Sequence, residues 1–141
     1  MSNNTLCLDY GERYVGVAIT DAEGKIALRR ATIDQKDKDV WQEVGFLVEQ
    51  EEVKKVLVGV PVSLSGGETA QTRASLTFLE KLQSVLGDKV AVEGVDEVFS
   101  SKEARRRLRA EGGNEGEEHM EAARLMLADY IARGRMARQD I

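Results

Sequence analysis

Residues 6–20, LCLDYGERYVGVAIT, hold two apolar runs separated by a turn, with a single acid at the join. Leu6-Cys7-Leu8 reads as a buried strand and Tyr14 to Thr20 as the next, with Gly11 in a tight turn between them. Asp9 then closes the first strand beside a hairpin, where a carboxylate contributes nothing to a core. It is either a turn-capping aspartate or a functional one.

The third strand follows at Lys25 to Ile33, entered through the turn DAEG. Three sequential strands with short turns make an antiparallel meander. The period then changes. Trp41, Val44, Leu47 and Val48 fall at helical spacing, so KDVWQEVGFLVEQEE is an amphipathic helix. KKVLVGVPV is a continuous apolar run of the kind buried on both faces of a sheet. The turn SLSGGE leads into a long helix with Leu76, Leu79, Leu82, Val85 and Leu86 along one face. DKVAVEGVDE is the next buried strand, and SSKEARRRLRAEG a short helix capped by Ser100 or Ser101 and stopped at Gly112-Gly113. After a flexible stretch from Gly112 to Gly116, a last helix carries Ala123, Met126, Leu127 and Tyr130 on its apolar face. The order β-β-β-α-β-α-β-α-α predicts an α/β fold. Its five-stranded mixed sheet joins a three-strand antiparallel meander to two parallel strands, with helices on both faces.

The 141 residues are expected to form one domain, 1–141, with room for a real core. Charged residues at 32% and hydrophobic ones at 42% are a soluble balance. The N-terminus lacks the basic and apolar regions of a signal peptide and no apolar run is membrane-length, which predicts a cytoplasmic protein without a membrane partner. The single cysteine, Cys7, excludes an internal disulfide and reads as a buried, inert thiol. A net charge of −5 argues against a strongly basic nucleic-acid binder. Arg105, Arg106, Arg107 and Arg109 nevertheless cluster, either as a solvated helix face or as a patch for a phosphate backbone.

Asp9 ends the first strand and Glu97, after Asp96, ends the fifth. Sites in open α/β sheets gather at the carboxyl ends of strands, so the two acids share one mouth if those ends lie on one edge. Carboxylates held together without a fixed cation repel, and hard oxygen ligands suit Mg²⁺ or Mn²⁺. Projecting the apolar face of the last helix back one turn, at about 100° per residue, reaches His119 and Gly116. Glu117 and Glu121 fall on the opposite side, Glu115 and Glu118 on the flank. His119, the only histidine, thereby faces the sheet as a third ligand or as a core or capping residue. In SLSGGETAQT, Gly66, Gly67 and the helix N-terminus either form a plain turn or present N–H groups to a phosphate, with Gln71 and Arg73 nearby.

These segments carry a resemblance. LCLDYGERYVGVAIT resembles the opening LGLDYGxxRIGVA of the YqgF/RuvX family, and VLVGVPVSLSGGETAQT its VGLPLNMDGTEGPQA. DEVFSSKEARRRL is similar to its DERLTTVEAxxxL, and AARLMLADYI to its AAxxILxxYL. The four segments run in the family's order from Leu6 to about Ile131. The resemblance implies an RNase H-like fold akin to the RuvC resolvases. It also implies a nuclease that either resolves Holliday junctions or matures the 5′ end of 16S ribosomal RNA precursor. By the same resemblance Asp9 and Glu97 match two catalytic acids, and His119 stands where the family usually has an Asp.

Two further departures weaken expected affinity for a phosphate backbone. Val98 replaces an Arg, and the loop EGGNEGEEH is acidic where relatives carry Lys and Arg. The expectation is a two-ion Mg²⁺ or Mn²⁺ site. In it Asp9 bridges the ions while Glu97 and His119 each hold one side, acting on RNA or branched DNA. A homodimer is allowed by it. The rival readings are a catalytically degenerate binding module, a structural or interaction protein, and a sugar-kinase or actin-like ATPase, which needs two such domains around its nucleotide.

Overall fold

The computed structural model describes residues 4–61, 69–97 and 111–139. Five strands form one sheet: β1 (Thr5–Tyr10), β2 (Tyr14–Thr20), β3 (Ala27–Asp34), β4 (Lys55–Pro61) and β5 (Ala91–Glu97). Their spatial order is β3-β2-β1-β4-β5. β1 to β3 are the antiparallel meander, and β4 and β5 add in parallel to β1. The sheet thus has the mixed architecture expected from the order of elements. The short helix expected at 100–112 falls almost wholly outside the described residues, as do Gly66, Gly67, Val98, Arg105, Arg106, Arg107 and Arg109.

Helix α1 (Val40–Gln50) begins where Asp39 accepts hydrogen bonds from the Trp41 and Gln42 amides. Helix α2 (Ala70–Leu86) begins at Thr69, which accepts from the Thr72 amide, and stops at Gly87, whose φ of 69° suits glycine. Helix α3 (Glu115–Gln139) starts two residues earlier than the loop expected through Gly116 allows. The Asn114 side chain accepts from the Glu117 amide and fixes that start.

Alternation along the strands divides the core in two. Leu6, Leu8, Val15, Val17, Val56 and Val58 face α1 and α2 with Val44, Phe78 and Leu82. Cys7, Ala18 and Leu57 face α3, against Ala123, Met126 and Leu127. Helix α3 lies mainly across β2 and β3 and reaches β1.

Two expectations are corrected here. β5 is an edge strand rather than a buried one, and most of its residues are exposed. Its one buried residue is the acid, Glu97. On α2 the buried stripe is Ser75, Phe78 and Leu82, while Val85 in the last turn is 48% exposed. Among the described residues no helix is long and apolar enough to cross a membrane.

Candidate functional site

Consecutive residues of a strand point to opposite faces, so Asp9 emerges on the α3 face and Tyr10 on the α1/α2 face. Asp9 is 2% exposed at the carboxyl end of β1, and it pairs across the ladder with Gly16 of β2. That glycine decides how close α3 can come. A Cβ at Gly16 would stand 2.1 Å from the backbone carbonyl carbon and oxygen of His119, so only glycine admits the first turn of the helix here.

The close approach delivers His119 to Asp9. Its Nδ1 lies 2.7 Å from Asp9 Oδ2, with both side chains buried. A carboxylate only accepts, so Nδ1 carries the proton and donates it. The other ring nitrogen, Nε2, rests against the β1–β2 turn: a Cβ at Gly11 would be 2.6 Å from it. That turn is itself held, because Gln35 Nε2 donates to the carbonyls of Gly11 and Glu12.

Glu97 reaches the same face from β5. The strand between, β4, contributes Gly59, where a Cβ would lie 3.3 Å from Glu97 Oε2 and 2.5 Å from Met126 Sδ. The missing side chain leaves the space that Glu97 occupies. Cys7 registers the pair electrostatically. Burial pushes its thiol pKa far up, and the charges of Asp9 and Glu97 push it further, so the thiol stays protonated and inert.

Among the described residues, no three His, Cys, Asp or Glu side chains converge at metal-ligand spacing. The expected set of Asp9, Glu97 and His119 is therefore two carboxylates on one face plus an imidazole bonded to one of them. Gln71 and Arg73 lie in the first turns of α2, on the other side of the sheet. Gln71 Nε2 donates to the Tyr10 carbonyl, and Arg73 borders a cleft beside Tyr10.

Two acids of α3 depart from their expected positions. Glu121, placed by the helical projection on the outer side, is 3% exposed, and Glu118 is 6% exposed. Burial opposes the charge on Glu121, but bonds from Arg124 and Arg29 outweigh it and hold its pKa at about 2. Arg29 of β3 engages it at 2.7 Å, and Arg124 grips it from the next turn. Sequence reasoning also missed Gly16 and Gly59, whose only signal was glycine inside an apolar strand.

The sequence matches the RuvX family, described as Holliday junction resolvase, over residues 3–133. A Dictyoglomus thermophilum protein named "Putative pre-16S rRNA nuclease" is 36% identical over 104 residues, 73% of either chain. A Chloroflexus aggregans protein of the same name is 34% identical over 131 residues, covering 89% of this chain and 91% of that one. The solved structure titled "T. thermophilus RuvC in complex with Holliday junction substrate" aligns with a TM-score of 0.57. It covers 95% of this chain and 96% of that one at 15% identity, a likeness of fold. Matched over nearly its whole length, with an acid-ended first strand and the family's mixed sheet, the chain belongs to the RuvX family.

Proposed function

We propose that this protein is a cytoplasmic, divalent-metal-dependent nuclease that hydrolyses phosphodiester bonds in structured nucleic acid, with Asp9, Glu97 and His119 as its working side chains. One observation carries the reading. Two acids are buried at the carboxyl ends of β1 and β5, on the face covered by α3, and the only histidine is bonded to one of them. Burying carboxylates is costly, and the carboxyl ends of strands are where the working residues of such sheets gather.

The donor set fits a hard divalent ion. With one oxygen of Asp9 bonded to His119, its carboxylate keeps lone pairs to offer, and the gap at Gly59 brings Glu97 toward it. Asp9 and Glu97 would hold Mg²⁺ or Mn²⁺. Such an ion supplies a Lewis acid for a phosphoryl oxygen and a bound water of lowered pKa. His119 acts on Asp9: its Nδ1–H fixes the carboxylate's rotamer, as outer-shell partners of ligand carboxylates do. Helix α3 excludes bulk water from the inner side of the pair.

The test is calorimetric titration of Mn²⁺ and Mg²⁺ into wild type, Asp9→Asn and Glu97→Gln, alongside cleavage of a four-way DNA junction and a 16S rRNA precursor fragment. The reading expects metal binding that both substitutions weaken at least tenfold, and metal-dependent cleavage of one substrate. Undiminished metal binding in both variants would remove the site. Nucleic-acid binding without cleavage in either metal would favour the degenerate binding module.

A further inference from the structure

The turn that follows Asp9 is held from outside itself. Four successive carbonyls, those of Tyr10, Gly11, Glu12 and Arg13, each accept a hydrogen bond from a glutamine. Gln35, the residue after β3, supplies three of these bonds. Its side-chain Nε2 donates to Gly11 at 2.9 Å and to Glu12 at 3.1 Å, and its backbone amide donates to Arg13 at 2.8 Å. Gln71 Nε2, from the first turn of α2, donates to Tyr10 at 3.2 Å. Next to Gln35, Asp34 accepts from the Arg13 guanidinium on both of its oxygens, at 3.3 and 3.2 Å.

The hairpin closes without the glutamine side chains. Tyr10 pairs with Val15 across the β1–β2 ladder, and the Gly11 amide donates to the Tyr14 carbonyl. Glu12 and Arg13 are exposed, and water serves their carbonyls nearly as well as a glutamine does. Gly11 is buried, and its carbonyl without Gln35 reaches water only if the turn moves. The Gln35 side chain therefore sets where the turn lies. That place matters to the site. His119 Nε2 packs against Gly11 while His119 Nδ1 bonds to Asp9, so turn, imidazole and carboxylate form one chain of contacts. Working side chains held within about 0.5 Å need support of this kind around them. We propose that Gln35 is a positioning residue. By pinning the Gly11 and Glu12 carbonyls it fixes the turn, and through the turn it fixes the ring of His119 on Asp9. The proposal rests on the nuclease reading for the work done at Asp9, and adds to that site a residue acting through main chain.

His119 is the only histidine, so its buried Nδ1–H is read by proton NMR on protein carrying isotope-labelled histidine, with no ambiguity of assignment. Its exchange with solvent is measured at one pH in EDTA, on the full-length wild type, Gln35→Met and Gln35→Lys. Methionine keeps the length and removes both donors, whereas lysine restores donors one bond further out. Exchange at least about fivefold faster is expected in Gln35→Met, with Gln35→Lys recovering most of the protection. In metal-dependent cleavage, kcat should fall at least about fivefold in Gln35→Met at a KM within about twofold of wild type. A lower Tm with exchange and kcat unchanged is the mark of a purely structural contact, and overturns the proposal. A raised KM at unchanged kcat is the mark of a substrate contact, and overturns it too. Should circular dichroism show Gln35→Met unfolded, the shape-matched Gln35→Glu is measured, with the same expected direction and the same refuting results. The two readings fail separately. Faster exchange in Gln35→Met, with no cleavage by wild type in Mg²⁺ or Mn²⁺, keeps the clamp and removes the nuclease. Cleavage by wild type with unchanged exchange in Gln35→Met removes the clamp alone.

Discussion

Replacing Gly16 with alanine should detach His119 from Asp9 without touching an ionisable group. The added Cβ would sit 2.1 Å from the backbone of His119, against an ordinary contact distance of 3.4 Å and above. The clash is with main chain at the first turn of a 25-residue helix, so no side-chain rotation relieves it. Helix α3 must withdraw by about 1.3 Å, the difference between those two distances. Along the His119–Asp9 direction that would stretch the 2.7 Å bond to roughly 4 Å, beyond hydrogen bonding. Overpacking costs about 1–3 kcal/mol, and the lost bond to a charged group about 1.5–3 kcal/mol. Part of the second cost overlaps the first, so the expected loss is about 3 kcal/mol and a Tm lower by roughly 10 °C. Thermal unfolding by circular dichroism and metal-dependent cleavage are measured together, with Gly45→Ala as control. Gly45 lies within α1, where a Cβ meets nothing within 4 Å, so its alanine should hold or raise Tm. A Gly16→Ala protein with wild-type Tm and full cleavage would refute the packing argument.

Other perturbations follow from the same geometry. Glu121 has a folded pKa of about 2 against an ordinary 4.5. Its contribution is therefore complete above about pH 4.5 and disappears as pH falls toward 2. Urea unfolding between pH 6 and 2.5 should show an acid loss of roughly 2 kcal/mol that Glu121→Gln abolishes; an unchanged acid limb would contradict the ion-pair assignment. His119→Asp sets a second carboxylate against Asp9, so it should lower Tm in EDTA and regain much of the loss on adding Mg²⁺. A destabilisation that ignores Mg²⁺ would separate the position from any ion. Gly59→Ala pushes on the flexible end of Met126 and on Glu97, so it should cost under about 2 kcal/mol of stability while lowering cleavage more than tenfold. Equal and small effects on both would mean that the gap does not serve Glu97.

Local periodicity made much of this protein legible. The change from period two to period three-to-four separated the meander from α1, and the continuous run VLVGV marked β4 as central. Rotating the apolar face of α3 back by one turn aimed His119 at the sheet, where it lies. What the sequence hid was long-range. The same rotation turns Glu121 outward, yet it is buried because Arg29, 92 positions away, joins Arg124 in pairing with it. β5 reads as buried from its valines, yet at the edge of the sheet Val92 and Val95 are only half-buried and the residues between them are exposed. Asp9 and His119 are 110 positions apart, and nothing local announces that Gly16 is the contact that joins them.

We propose that the buried Asp9 works chemically rather than structurally, and one comparison tests it. Asn is nearly isosteric with Asp and can still accept from His119 Nδ1, so Asp9→Asn should keep the wild-type fold and Tm within a few degrees. Single-turnover cleavage of the junction and the rRNA precursor fragment is measured for both proteins in Mg²⁺ and Mn²⁺. The account predicts metal-dependent cleavage by wild type and a loss of at least a thousandfold in Asp9→Asn at unchanged substrate affinity. Undiminished cleavage by a folded Asp9→Asn protein would contradict it.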